Sequence, residues 1–150
     1  SAGAESQRIL GTGNLHRLRI ADPVQEIMCI FCDKLKDKTD IVFENKSVFV
    51  FYDHFPVSKG HCLIIPKRHI PDYFSLNQEE LMDIDEAIHQ MKTDLDQQFQ
   101  PDGYNIGINN GLAAGQTVMH LHVHLIPRYE HDCENPRGGV RGVIPGKQNY

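Results

Sequence analysis

The sequence predicts an α+β domain, and three observations carry that prediction. One stretch repeats apolar residues at the three-and-four spacing of a long helix: Leu81, Ile84, Ile88, Met91, Leu95 and Phe99. Short β-branched and aromatic runs, bounded by turn residues, lie on both sides of it. A run from Gly115 to Pro127 alternates imidazole with aliphatic side chains, the period of a strand with two unlike faces. At 150 residues the chain fits one domain that buries roughly 68 to 70% of its unfolded surface.

In chain order, residues 1–26 read as an N-terminal extension, in which Gly11 and Gly13 break any period and Leu15, Leu18 and Val24 form a short docking segment without assigned function. Cys29-Ile30-Phe31-Cys32 follows, then a charge run to Lys38 that reads as a solvated turn or short helix. Ile41–Glu44 and Ser47–Tyr52 are two strands joined at a tight Asn45-Lys46 turn. Asp53–Gly60 is a loop, and His61–Ile65 is the strand that leaves it, closed by Pro66. Asn77 with Glu80 resembles a capping box at the start of the long helix, which Pro101-Asp102-Gly103 ends. Tyr104–Asn109 is a strand feeding a Gly-rich loop and the histidine run. From Glu130 the chain is rich in Gly, Pro and charge, so residues 131–150 form a tail.

Fifteen Lys and Arg against 20 Asp and Glu give a net charge of -5, which disfavours general nucleic-acid or anionic-membrane binding. No apolar run approaches the ~18 to 20 residues of a membrane span, and no signal-peptide pattern is present, so a soluble cytoplasmic protein is expected. Cys29 and Cys32 have the Cys-x-x-Cys spacing of metal or redox chemistry; Cys62 and Cys133 read as a buried strand thiol and an exposed loop thiol.

A neutral imidazole is both nucleophile and metal ligand, so His120, His122 and His124 on one strand face suit either task. As a strand, His120 and His124 lie about 13 Å apart at ~3.3 Å rise per residue, and at most two of the three share an ion. A zinc site that joins Cys29 and Cys32 to histidines from elsewhere leaves two imidazoles for catalysis. From spacing alone the cysteine pair is structural zinc or a redox pair.

The string Ala114–Pro127, with its His-x-His-x-His core followed by two apolar residues, resembles the signature of the histidine triad (HIT) superfamily. The likeness extends to Cys29-Ile30-Phe31-Cys32, Asp53, Gly60-His61, Pro66–Ile70 and Asn109-Asn110-Gly111, and covers residues 27–130 as the HIT domain. It implies a five-stranded antiparallel sheet with one long helix, and a homodimer whose sheets join. It also implies nucleotidyl transfer from a small nucleotide: His122 attacks the α-phosphorus and water hydrolyses the nucleotidyl-histidine. In that scheme His124 serves the leaving group as proton donor or hydrogen-bonding stabiliser. His61 faces the same phosphate, and Gly115, Gln116 and Thr117 hold its oxygens. Asp53 and Asn109 match the ribose-binding positions, and Ile30, Phe31, Leu35 and Phe51 the base pocket, each of these apolar residues reading equally as core. The zinc ligands match Cys29, Cys32, His69 and His120; four protein ligands make that zinc structural, and no metal is expected in turnover.

The resemblance further implies hydrolysis rather than uridylyl transfer, since the family's uridylyltransferase branch tends to carry Gln at the third triad position, where this sequence has His124. Two other readings stand beside the hydrolase: a nucleotide-binding regulatory module with little turnover, and a zinc-binding module. Dinucleoside polyphosphates, nucleoside phosphoramidates and acyl-adenylates are all open as substrates. Arg137 and Arg141, flanking Gly138-Gly139, suggest a tail that folds over the active site and holds phosphates beyond the first.

Overall fold

The computed structural model describes residues 29–150; the N-terminal extension and its docking segment lie outside the described residues. Helix α1 spans Ile30–Asp37, β1 Ile41–Glu44, β2 Val48–Tyr52, β3 Cys62–Pro66, α2 Gln78–Phe99, β4 Gly103–Gly107 and β5 Val123–Arg128. The strands form one antiparallel sheet in the order β1-β2-β3-β5-β4. This is the α+β class the sequence predicts, with the five-stranded sheet the resemblance implies. No helix of the described residues is long and apolar enough to cross a membrane.

The sheet is covered on both faces, which is why β2 and β3 read as unbroken apolar runs. Val48, Val50, Cys62, Ile64, Val123 and Leu125 pack against Ile84, Ala87, Met91 and Leu95 of α2. On the opposite face Phe49, Phe51, Leu63 and Ile65 pack with Cys29 and Phe31 at the start of α1. The charge run is therefore the solvent side of α1, a real helix anchored by Phe31. Cys29 caps it, accepting the Cys32 N–H on its sulfur at 3.3 Å.

The capping box of α2 is present in both directions: Glu80 N–H donates to Asn77 Oδ1 at 2.8 Å and Asn77 N–H to Glu80 Oε1 at 3.0 Å. Arg68 adds two hydrogen bonds to the buried Glu80 carboxylate, and the guanidinium holds it below the usual carboxylate range. The apolar stripe differs from expectation at one position. Leu81 is exposed, and Ala87, outside the expected stripe, is fully buried in the core between α2 and the sheet.

The histidine run differs more. Only residues from Val123 onward form a ladder; His120, Leu121 and His122 precede it. The partner strand β3 ends at Pro66, so Leu121 donates its N–H to Ile70 O in the following loop, at 2.8 Å. The three imidazoles still share the Phe31 side, as the alternation predicts, but His120 is buried there at 1% exposure. The hairpin turn at Asn45 is as expected, its side chain accepting from the N–H groups of Ser47 and Val48.

Candidate active site and metal centre

Cys29 and Cys32 sit one turn apart at the start of α1, His69 follows the end of β3, and His120 lies beneath them. Their four ligand atoms lie within 4.8 Å of one another. Cys29 Sγ is 3.2 Å and Cys32 Sγ 3.6 Å from His120 Nδ1, and Cys32 Sγ is 3.3 Å from His69 Nδ1. A carbonyl only accepts, so the 2.8 Å contact with Pro66 O puts the His120 proton on Nε2 and turns the Nδ1 lone pair toward both sulfurs. Burial pushes His120 down to about 4, which keeps the ring in its neutral, ligating form. Two thiols and two oriented imidazole nitrogens at these separations suit a tetrahedral metal such as zinc.

The same residue orients its neighbour. His122 Nδ1–H donates to the His120 carbonyl at 2.9 Å, so the His122 lone pair is on Nε2 and points away from the chain. The Phe31 ring meets His122 nearly edge-on at 5.1 Å, and the His124 ring lies 5.2 Å away on its other side. An oriented, half-buried imidazole with its lone pair outward is a competent nucleophile.

His61, immediately before β3, and His124 of β5 are 63 residues apart in sequence and meet at 2.9 Å through Nε2 and Nδ1. The Val57 N–H donates to His61 Nδ1 at 3.1 Å, which leaves the His61 proton on Nε2, where it is donated to His124 Nδ1. His124 therefore carries its own proton on Nε2. Asp53 Oδ2 lies 3.5 Å from His61 Nε2 and, with the two imidazoles, makes a second set of converging donors. With these tautomers one His61 proton lies between the two imidazoles, a hydrogen-bonded dyad beside the Asp53 carboxylate.

Burial pushes His124 down to about 4, with the neighbouring His122 and His61 adding to it, and lowers His61 as well against the pull of Asp53. Unfolded, each ring protonates near 6.5. The unfolded chain therefore binds more protons between pH 6.5 and about 4, and the stability held above that window is lost as pH falls through it. Urea titrations of metal-loaded protein at about pH 7, 5.5 and 4.5 should give a shallower decline for His124→Gln. Equal declines would mean that His124 is not held neutral.

The HIT domain model matches residues 34–131, most of the described chain. The chain belongs to the HIT family. A crystal structure of a HIT family protein from Bacillus anthracis is 40% identical, covers 70% of this chain and 76% of that one, and superposes with a TM-score of 0.66. A zinc-bound histidine triad protein from Mycobacterium smegmatis is 30% identical over 71% of this chain and 78% of its own, with a TM-score of 0.65. A bis(5'-adenosyl)-triphosphatase of Dictyostelium discoideum is 36% identical over 98 residues, 65% of this chain and 66% of that protein.

Within this HIT domain the remaining expected residues fall into three groups. Phe31 and Phe51 are buried with their rings 5.9 Å apart, Leu35 is half-buried and Ile30 exposed, so the apolar wall beside His122 is continuous with the core. Asp53 faces the dyad, while Asn109 is half-buried in the loop after β4, the strand whose Gly107 pairs with His124. Gly115 and Thr117 are exposed in the loop that leads to His122.

Gln116 is engaged within its own loop: its Nε2 hydrogens go to Pro71 O and Val118 O, its Oε1 accepts from Gly111, and its backbone N–H donates to Gly111 O. No N–H of that residue is left for a phosphate; it braces the loop instead. Arg137 and Arg141 lie 4.5 and 4.9 Å over the ring of Tyr150, beside a cleft of about 810 Å³ between the tail and the ends of β4 and β5. Among the described residues no contact joins either arginine to the triad. The groups that sequence reasoning missed are the Val57 N–H and the carbonyls of His120 and Pro66, and backbone atoms leave no residue-type signal.

Proposed function

We propose that this HIT protein hydrolyses a dinucleoside polyphosphate at its α-phosphorus through a nucleotidyl-His122 intermediate. The observation that carries the reading is the fixed tautomer of His122, whose Nε2 lone pair is presented to a substrate. Nε2 forms a bond to phosphorus as the bridging P–O bond breaks, and the leaving polyphosphate departs with the electron pair. The imidazolium so formed keeps its Nδ1–H on the His120 carbonyl, which stabilises the positive charge as it develops. Water then attacks phosphorus, the P–N bond breaks, and a nucleoside monophosphate and a proton are released.

His124 is neutral at pH 7 and offers Nε2–H, so it acts as a hydrogen-bond donor to the leaving oxygen rather than as a proton source. A polyphosphate leaving group needs no proton, whereas the amine of a phosphoramidate does; this favours the anhydride substrate. The Dictyostelium relative, by its name a bis(5'-adenosyl)-triphosphatase, supports the same class.

Cys29, Cys32, His69 and His120 would hold a zinc ion, which supplies a cross-link between α1 and the catalytic segment. The resemblance also supports a homodimer; a monomeric mass by light scattering at micromolar concentration would overturn that. The experiment that tests the hydrolase is release of nucleoside monophosphate from diadenosine and diguanosine tetraphosphates without added metal.

The tail contributes a further prediction. Two guanidiniums held over one ring are pre-ordered for phosphate, and Gln148 ties the segment by donating to Asn135 O and Arg137 O. Arg141→Ala should lower kcat/KM by about 1.5 to 3 kcal/mol for a dinucleoside tetraphosphate and much less for an adenosine phosphoramidate. Equal effects on both substrates would make the tail a surface element.

A further inference from the structure

Three polar side chains gather beyond the apolar wall of the site. Lys34, on the second turn of α1, places Nζ 4.7 Å over the Phe51 ring, 3.3 Å from His54 Nε2 and 3.5 Å from Asp40 Oδ2. The Lys34 side chain is only 19% exposed, and the His54 ring lies 6.0 Å from that of Phe51. Asp40 holds a left-handed conformation at φ 63°, which Asp tolerates better than most residues and which accompanies its return toward α1.

The location ties this cluster to the active site. His122 touches Phe31, and Phe31 touches Phe51, so an unbroken aromatic path runs from the nucleophile to Lys34. Ile30, 55% exposed, lies one helical turn before Lys34 on the same face of α1 and supplies an apolar platform beside it. Asp53 and His54 are chain neighbours that face in different directions, Asp53 toward the His61–His124 dyad and His54 toward Phe51. A nucleoside whose phosphorus is at His122 would thus have its sugar near Asp53 and its base between Ile30 and His54.

The chemistry of the cluster is one-sided. An ammonium only donates, so the 3.3 Å Lys34 contact makes His54 Nε2 an acceptor and puts that ring's proton on Nδ1; Asp40 Oδ2 lies farther from the same nitrogen, at 3.6 Å, past hydrogen-bond length. Lys34 donates one N–H to His54 and pairs electrostatically with Asp40 at 3.5 Å, which leaves it a further N–H to give; the His54 Nδ1–H meets no partner among the described residues. Two donors therefore await a base edge that accepts twice. Guanine and hypoxanthine offer adjacent O6 and N7 acceptors, whereas adenine sets its N6 amino donor against one of these N–H groups.

We infer that Lys34 and His54, braced by Asp40, read the nucleobase and select a 6-oxopurine nucleotide over the adenine one. The inference rests on the nucleotide hydrolase reading and names its substrate class. Calorimetric binding of GMP and AMP, with turnover of diguanosine and diadenosine tetraphosphates measured in parallel, tests it on wild type, Lys34→Met, Lys34→Arg and His54→Leu. Wild type should bind GMP about tenfold tighter than AMP. The ratio should fall toward one in Lys34→Met and decrease in His54→Leu. Lys34→Arg, which keeps the donors, should retain most of it, and this separates base reading from a folding defect.

Turnover with equal affinity for the two bases would overturn the base reader alone. A GMP preference lost in Lys34→Met but without turnover of either dinucleotide would overturn the hydrolase and keep the reader. Binding of neither mononucleotide would overturn both, and an unchanged preference in Lys34→Met would assign the selection elsewhere.

Discussion

Replacing His122 by Asn should lower turnover by a factor on the order of 10⁴ or more, comparable to losing a covalent nucleophile elsewhere. Asn retains an amide N–H that can donate to the His120 carbonyl, so the local backbone keeps its partner, but it has no ring nitrogen to attack phosphorus. The wall of Phe31 and Phe51 and the Asp53 carboxylate are untouched, so nucleotide affinity should change little. Rapid quench followed by mass spectrometry should find an acid-labile nucleotidyl adduct on wild type and none on the variant. An adduct that persists on His122→Asn would move the nucleophile to another residue.

Local patterns carried the fold further than they carried the site. The α2 stripe and its Asn77–Glu80 cap could be read because each depends on residues three or four apart. Ala87 could not be, since its small side chain gives a weak apolar signal and its burial depends on what packs over it. The histidine alternation foretold a strand, but how far a strand pairs is set by its partner, and Pro66 and the Ile70 carbonyl lie more than 50 residues away. Gln116 illustrates the same limit: its position beside the triad pointed to phosphate, and only the distant Pro71 carbonyl explains why it turns inward. The convergence of Cys29, Cys32, His69 and His120 came from the resemblance, because spacing within the cysteine pair cannot name the two histidines.

Removing a thiolate from that cluster should have the largest effect on stability. Cys29→Ser should reduce bound zinc from one ion per chain to a small fraction and lower unfolding stability by about 3 kcal/mol or more, because ion binding and folding are coupled. The substitution has an internal control: Cys29 is also the N-cap of α1, and Ser is a good capping residue, so the cap alone predicts no loss. Any large drop in melting temperature therefore reports the metal. Turnover should fall with it, since His120 presents its ring to the cysteines and its carbonyl to His122 Nδ1–H, and release of the ring frees that carbonyl to move. Metal analysis, thermal melting and turnover on the same preparations check the three links separately. A wild-type preparation stripped of metal, with an unchanged melting temperature, would show that the cluster holds the fold without an ion.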